Sequence, residues 1–216
     1  MQKRTGGEIY IGVVGPVRTG KSTFIKRFMD VAVLPYMEDA AQKTRAQDEL
    51  PQSAGGRTIT TTEPKFIPQE AVELKLAGEV TIRVRLVDCV GFMVEGAAGH
   101  LEDGAERLVK TPWYDHEIPF TQAAELGTRK VITDHSTIGV VVTTDGSFSD
   151  LPQETYLDAE NQAISELKKL HKPFLVLVNS SHPSSRTARE AAERIEKQHS
   201  VAAMPVNCAQ LSEEDI

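Results

Sequence analysis

The sequence predicts an α/β domain with a mainly parallel sheet and helices on both of its faces. Short apolar runs rich in β-branched residues alternate along the chain with segments whose apolar residues recur at helical spacing. A glycine-containing turn joins the first such strand to the first helix. With 216 residues, 40% hydrophobic and 25% charged, the chain is long enough for one domain with its own core.

The first strand and helix have the clearest patterns. Residues 9–14 form an apolar, β-branched run that ends at Gly15, as in a buried parallel strand. A helix begins near Lys21, because apolar residues follow it at helical spacing. Residues 36–63 lose this periodicity and are polar, so we expect a long loop that is either functional or disordered.

The rest of the chain continues the alternation of strands and helices. A second polar, glycine-containing stretch covers residues 91–119, and a turn at Ala77-Gly78 joins two neighbouring strands. We find no internal repeat and no domain linker, so we expect one domain over residues 1–216. The other predicted elements are strands at 72–76, 80–87, 137–143, 174–178 and 201–206 and helices at 123–131, 154–170 and 188–198.

Charge and cysteine content exclude several classes of function. The net charge is −7, so the chain lacks a broad basic surface for a nucleic-acid backbone and we expect no nucleic-acid partner. Cys89 and Cys208 show no spacing typical of a metal site, so we expect reduced, buried thiols. No apolar run is long enough to span a membrane, and we expect a soluble, cytoplasmic protein.

The turn after the first strand carries the strongest functional pattern. Gly15-Pro16-Val17-Arg18-Thr19-Gly20-Lys21-Ser22 matches the phosphate-binding loop G-x-x-x-x-G-K-[ST] in full, between a strand and a helix. Its N–H groups would cradle phosphates, Lys21 would reach the β- and γ-phosphates, and Ser22 would bind Mg²⁺. Thr23 could donate to the α-phosphate. The alternative is a chance glycine turn followed by a surface lysine.

A carboxylate ends the strand at residues 80–87. Asp88 could hold a water on Mg²⁺, and Gly91, three residues later, could offer its N–H to the γ-phosphate. A D-x-x-G string alone is weak and is usually a surface turn. Its place one strand pair after the phosphate-binding loop makes the metal-site interpretation much stronger.

A threonine-rich segment precedes the strand pair. Switch loops of nucleotide hydrolases use a threonine to close on Mg²⁺ and the γ-phosphate. Thr61 and Thr62 are best placed for this role, although they could simply begin a threonine-rich strand. Arg57 could contact phosphates or lie in solvent.

Two departures from guanine-specific switches are visible, of which the first favours ATP as the nucleotide and the second concerns catalysis. Such proteins carry N-K-x-D after a late strand, whereas this chain has Asn179-Ser180-Ser181-His182, without the lysine and the aspartate. A site that lacks the polar partner of guanine loses selectivity for it. Phe92 follows the D-x-x-G string where many such GTPases have a glutamine that orients water, so other groups would have to do so.

The candidate site therefore combines three kinds of role. We expect Lys21, Thr61, Thr62 and Asp88 to act in catalysis. We expect Ser22, Thr62 and, through water, Asp88 to hold the metal. The residues that we expect to contact the nucleotide are Gly15, Val17, Arg18, Thr19, Gly20, Lys21, Ser22, Thr23, Gly91 and Asn179.

Several further strings, taken together with the phosphate-binding loop, resemble one family. They resemble the stage IV sporulation protein A family of spore-coat morphogenetic ATPases, from Arg4 to about Asn179 and more weakly beyond. The strings are Arg4-Thr5-Gly6-Gly7, Ala46-Gln47-Asp48-Glu49-Leu50-Pro51-Gln52-Ser53, Thr61-Thr62-Glu63-Pro64-Lys65-Phe66, Val87-Asp88-Cys89-Val90-Gly91, Thr111-Pro112-Trp113-Tyr114, Gly127-Thr128-Arg129-Lys130-Val131-Ile132 and His135-Ser136-Thr137-Ile138-Gly139-Val140-Val141-Val142-Thr143-Thr144-Asp145-Gly146.

The resemblance implies a P-loop NTPase of the translation-factor-like GTPase class that has turned to ATP. It implies hydrolysis coupled to self-assembly into a polymer, the basement layer of the spore coat, in the mother-cell cytoplasm at the forespore surface. Lys21 would support nucleotide binding, and Thr61 and Thr62 would be sensors needed for hydrolysis. In the longer family members, C-terminal regions contact a small membrane-bound peptide and coat proteins, and we expect those regions to be absent here.

Overall fold

A central sheet of six strands organises the protein, whose computed structural model describes residues 7–51, 62–75, 81–97, 100–102 and 104–216. The strands of the described residues are β1 (Glu8–Val14), β2 (Lys65–Lys75), β3 (Thr81–Asp88), β4 (Leu101–Glu102), β5 (Ala105–Glu106), β6 (Leu108–Val109), β7 (Ile118–Pro119), β8 (Ile138–Thr144), β9 (Phe174–Asn179) and β10 (Ala203–Val206). The α-helices are α1 (Lys21–Phe28), α2 (Ala40–Asp48), α3 (Phe120–Lys130), α4 (Leu157–Lys169) and α5 (Arg186–His199). Shorter turns are π-helical at Met29–Val33 and Val131–His135 and 3₁₀-helical at Leu34–Tyr36, Gln153–Tyr156 and Glu213–Asp215.

The sheet has the strand order β10-β9-β8-β1-β3-β2, and only the β2–β3 pair is antiparallel. This confirms the predicted α/β class with a mostly parallel sheet. The parallel strands place their carboxyl ends at one edge, where ligands bind in folds of this kind. Three residues therefore share that edge because they end a strand or directly follow one. They are Gly15 after β1, Asp88 at the end of β3 and Asn179 at the end of β9.

Helices cover both faces of the sheet, as the sequence predicts. On one face, Ile164 of α4 and Ile195 of α5 are fully buried against β8 and β9. On the other face, Ile25 of α1 and Met29 of the following π-helical turn pack against β1 and β3. Apolar side chains on both faces explain why the central strands read as continuous hydrophobic runs.

The expected loop over residues 36–63 is wrong in part, because α2 lies within it. Asp39 caps this helix, and its carboxylate accepts hydrogen bonds from the N–H groups of Ala41 and Gln42. Only Ala46 of α2 is buried. A helix with a single buried position has no apolar periodicity, which is why the pattern did not indicate it.

β2 begins earlier than the sequence predicts, at Lys65 rather than residue 72. Its first half contains Pro68, which disfavours a strand, and the pairing with β3 shifts register between Ile67 and Val72. Proline is tolerated there because β2 is an edge strand, with no neighbour on its outer side among the described residues. The predicted turn at Ala77-Gly78 lies outside the described residues.

Residues 91–119 form more structure than the predicted polar stretch. Two small antiparallel pairs occur there, β4 with β5 and β6 with β7, and the second leads directly into α3. Two-residue strands are too short to show an alternating pattern in sequence. Among the described residues, no helix is both long and apolar enough to cross a membrane.

Candidate nucleotide-binding site

The turn between β1 and α1 reverses the chain through three residues with positive φ. Gly15, Arg18 and Gly20 have φ angles of 132°, 60° and 95°. Such alternation of backbone conformation directs successive N–H groups to one concave side. Gly20 is the N-cap of α1, and within the described part of the chain no side chain caps this helix. The first N–H groups of α1 are therefore available to an anion in the concavity.

Lys21 directs its amine back into this turn. Its side chain is only 4% exposed, and Nζ donates to the carbonyl oxygen of Pro16 at 2.5 Å. Burial lowers the pKa of Lys21, while Cys89 and Asp88 act in the opposite direction. A carbonyl compensates a buried ammonium less well than an anion does, so a phosphate in the turn would stabilise the charged lysine.

Asp88, at the end of β3, lies beside the first turn of α1. Its Oδ2 accepts a hydrogen bond from Ser22 Oγ at 2.8 Å, and its Oδ1 accepts one from the Cys89 N–H at 2.9 Å. Burial raises the pKa of Asp88, and the bond from Ser22, the charge of Lys21, the Cys89 N–H and the charge of Lys65 oppose the shift. A hydroxyl and a carboxylate this close fit Mg²⁺, which prefers oxygen ligands and retains several waters.

The segment after Asp88 is hydrogen-bonded to the turn. The Phe92 N–H donates to the Gly15 carbonyl at 2.9 Å, and the Val17 N–H donates to the Phe92 carbonyl at 2.9 Å. The Phe92 side chain is 1% exposed and belongs to the core. Gly91 has φ of 104° and packs directly on the turn, so a Cβ there would lie 2.5 Å from both Gly15 O and Lys21 Nζ. Asp88 and the phosphate-binding loop are thus held together by backbone contacts.

The Gly91 N–H, which the sequence assigns to the γ-phosphate, has a protein acceptor. It donates to Thr128 Oγ1 of α3 at 3.1 Å. Thr128 is fully buried, and its hydroxyl donates in turn to the Ala124 carbonyl at 2.8 Å. The γ-phosphate contact of Gly91 stays a prediction, and it would require this N–H to leave Thr128.

Thr62 lies against the same helix. It is 5% exposed, and its carbonyl approaches Gly127 so closely that a Cβ at position 127 would lie 2.3 Å from the oxygen. Three residues later, Lys65 lies opposite Asp88 in the antiparallel pairing of β2 with β3. The segment predicted to sense nucleotide therefore runs past the strand that carries Asp88. Thr61 and Arg57 lie outside the described residues.

Thr19 and Asn179 hold the loop through hydrogen bonds to the backbone. Thr19 Oγ1 has one hydrogen, which it donates to the Val142 carbonyl at 2.6 Å, and the Pro16 carbonyl lies 3.0 Å away as a second acceptor. Asn179 Nδ2 donates to the Thr19 carbonyl at 2.9 Å, and its Oδ1 accepts from the Cys208 N–H at 3.0 Å. Both ends of the Asn179 amide thus serve contacts within the protein.

The remaining predicted residues lie around the turn in different settings. Arg18 is exposed at the tip of the turn, whereas Val17 is buried. Ser22 and Thr23 are half-buried in the first turn of α1. The structure therefore brings the turn, Asp88, Gly91 and Asn179 together, and the nucleotide contacts of each stay predictions.

Comparison with known proteins identifies the family. A sequence model described as "Stage IV sporulation protein A, ATPase domain" matches residues 1–216. The chain belongs to this family. This confirms the resemblance drawn from the sequence strings, and the family's description as an ATPase domain agrees with a loop built for phosphates.

Three curated relatives carry the name stage IV sporulation protein A. The protein of Clostridioides difficile (strain 630) is 50% identical over 216 residues, which cover 100% of this chain and 44% of the relative. Those of Bacillus anthracis and Bacillus subtilis (strain 168) are each 48% identical over 214 residues, covering 99% of this chain and 44% of the relative. The chain thus spans less than half the length of these relatives.

Three contacts of this ATPase domain did not follow from its motifs. In the sequence, Phe92 is notable only because many such GTPases have a glutamine there, whereas in the structure its backbone joins the segment after Asp88 to the loop. Thr128 and Gly127 appeared only within a string of the family resemblance, with no assigned role. Both lie on a helix whose own pattern indicates only a buried face, so no local signal pointed to the site.

Proposed function

We propose that this domain is a Mg²⁺-dependent ATP hydrolase whose turnover is coupled to self-assembly of the spore-coat basement layer. The observation that carries the proposal is the pairing of a buried Lys21 amine inside the loop with the Ser22–Asp88 contact beside it. The lysine would hold the β- and γ-phosphates, and Ser22 and Asp88 would hold the metal, Asp88 through water. Mg²⁺ would neutralise charge that develops on the phosphates.

The choice of ATP over GTP rests on the loop after β9. Ser180 and Ser181 stand where a guanine site has its stacking lysine and a neighbouring residue, and His182 stands where it has its aspartate. Asn179 has both ends of its amide engaged, by Thr19 and by Cys208. Neither feature supplies the paired acceptors that guanine needs.

The order of the site residues supports membership of the translation-factor-like class. A phosphate-binding loop follows the central strand β1, a threonine segment leads into the antiparallel edge strand β2, and a carboxylate ends the adjacent β3. Thr61 and Thr62 would act as sensors that close on the metal and the γ-phosphate. Since Phe92 is buried, the attacking water would have to be oriented by these threonines, a backbone carbonyl or a neighbouring subunit.

The proposed partners follow from the family. The domain would associate with further copies of itself, without nucleic acid, in the mother-cell cytoplasm at the forespore surface. Contacts with a small membrane-bound peptide and with coat proteins would come from C-terminal regions of longer members. The acidic net charge of −7 supports the exclusion of nucleic acid.

Phosphate release with ATP and GTP side by side, with Mg²⁺ and over a range of protein concentrations, tests the proposal. We expect ATP-selective turnover per molecule that rises with concentration. Lys26, exposed on the same helix as Lys21, provides the matched control, so Lys21→Ala should abolish turnover and Lys26→Ala should not. Preference for GTP would instead indicate a switch GTPase.

A nucleotide-binding scaffold without turnover is the second candidate, favoured by the buried Phe92 side chain at the position of the usual glutamine. It predicts saturable ATP binding with no phosphate release at any concentration.

A further inference from the structure

Two adjacent residues of α3 contact the Thr62 segment, which the proposed function assigns to nucleotide sensing, and Gly91, whose N–H the sequence predicts to contact the γ-phosphate. Gly127 is in close contact with the carbonyl of Thr62, and Thr128 accepts the hydrogen bond from the Gly91 N–H. Gly127 and Thr128 are both buried. The Thr62 segment and Gly91 are separate in sequence, and α3 touches both of them. A movement of either segment would therefore change contacts with the same short stretch of α3.

We propose that Thr128 is a positioning residue that competes with the γ-phosphate for the Gly91 N–H, and that α3 thereby couples Gly91 to the Thr62 segment. The inference rests on the proposed function, because it takes a nucleoside triphosphate to bind over the phosphate-binding loop. It assigns to Thr128 no contact with the nucleotide and no part in the chemical step.

Competition follows from the number of donors and acceptors. Gly91 has one N–H, which makes one good hydrogen bond, and Thr128 Oγ1 is its acceptor at 3.1 Å. The Thr128 hydrogen is already donated to Ala124 at 2.8 Å, so the hydroxyl meets Gly91 only as an acceptor. A charged phosphate oxygen is a stronger acceptor than a hydroxyl and would take the N–H when it lies within reach.

The surrounding contacts permit this exchange without moving the chain as a whole. The N–H belongs to the peptide between Val90 and Gly91, whereas Phe92 stays bonded to Gly15 and Val17 on the other side. Gly91 packs on the loop next to Lys21 Nζ, the group proposed to hold the γ-phosphate. A rotation of one peptide at a glycine, which has wide backbone freedom, is enough to redirect the N–H.

The exchange has a consequence for α3. Once Gly91 turns away, Thr128 Oγ1 is a fully buried acceptor without its donor, which is unfavourable. A small shift of α3 that relieves this would move Gly127 and so act on its two neighbours. One is Thr62, whose carbonyl contacts Gly127. The other is Trp113, whose ring lies 3.5 Å from the position that a Cβ of residue 127 would take. Trp113 is the single tryptophan of the chain and so reports on this junction.

The test compares Thr128→Val, which removes the acceptor but keeps the shape, with Thr128→Ser, which keeps the acceptor. Affinities for a non-hydrolysable ATP analogue and for ADP are measured with Mg²⁺. We expect Thr128→Val to raise the ratio of analogue affinity to ADP affinity about three- to tenfold, because the phosphate no longer displaces a hydrogen bond. Thr128→Ser should keep the wild-type ratio.

A ratio that is unchanged or lower in Thr128→Val would overturn the competition. General loss of packing weakens both nucleotides together and leaves the ratio unchanged, so a raised ratio is not a folding artefact. The wild-type protein gives a second measurement, in which Trp113 fluorescence should respond to the analogue and not to ADP. Equal responses would overturn the coupling. Wild-type protein that binds neither nucleotide would instead overturn the proposed function.

Discussion

Replacing Gly91 by alanine tests the contact that holds residues 88–92 on the phosphate-binding loop. Gly91 has φ of 104°, a conformation that residues with a side chain adopt at a cost. A Cβ there would also lie 2.5 Å from the Gly15 carbonyl oxygen and from Lys21 Nζ. The first penalty belongs to the backbone of one residue, and the second belongs to the interface between two segments.

The two penalties can be estimated separately. The backbone conformation costs about 1–3 kcal/mol for a residue with a Cβ. Overpacking against a backbone carbonyl, which cannot swing away as a flexible side chain could, adds about 1–3 kcal/mol. We therefore expect Gly91→Ala to lower the free energy of unfolding by about 2–6 kcal/mol, or roughly 5–20 °C in Tm for a domain of this size.

Gly104→Ala is the matched control. Gly104 has φ of 82°, and no described residue lies within 4 Å of the position of its Cβ, so this variant carries the backbone penalty alone. Urea denaturation of both variants and the wild type gives the two losses of stability. Equal losses in the two variants would refute the reasoning, because the close approach of Gly91 to the loop would then contribute nothing.

Three further predictions concern the site. Lys21→Ala should weaken ATP binding about ten- to hundredfold in a titration, since a charge-assisted contact is lost, and unchanged affinity would contradict the site assignment. Thr62→Ala should bind ATP normally but release phosphate at least about tenfold more slowly, and wild-type turnover would count against its sensor role. Burial raises the pKa of Cys89 from 9.0 to about 11. The folded state thus keeps a proton that the unfolded state loses, and the wild-type free energy of unfolding should fall by about 2–3 kcal/mol relative to Cys89→Ala between pH 9 and 11. Parallel pH profiles for the two proteins would argue against a buried thiol.

The elements that could be predicted from sequence are those whose pattern is local. β1, α1, β8 and β9 have continuous apolar runs or a helical repeat because each is buried by its neighbours. α2 was missed because it buries one alanine and rests on a cap. The cap was visible in the sequence as Asp39 followed three residues later by Gln42, but a polar helix without an apolar face gives no second signal.

The same distinction applies to the site. The closeness of Lys21, Ser22 and Asp88 could be predicted because fixed spacing in a motif reflects a fixed backbone shape. The contact of Thr128 could not be predicted, since this residue lies 37 residues from Gly91 and the contact depends on how α3 packs. Nothing in its immediate sequence distinguishes a buried threonine that only donates to a carbonyl of its own helix from one that also accepts an N–H from another segment.

The charges of the site give a reason for metal and nucleotide to bind together on the proposed function. Burial lowers the pKa of Lys21 and raises that of Asp88, so it works against both charges. Each side chain has a neutral hydrogen-bonding partner, the Pro16 carbonyl for the lysine and the Ser22 hydroxyl for the aspartate. Phosphate alone would compensate the lysine but repel the carboxylate, whereas Mg²⁺ alone would do the reverse. Only the two together would compensate both charges, and the short distance from Ser22 to Asp88 would hold a metal beside the loop.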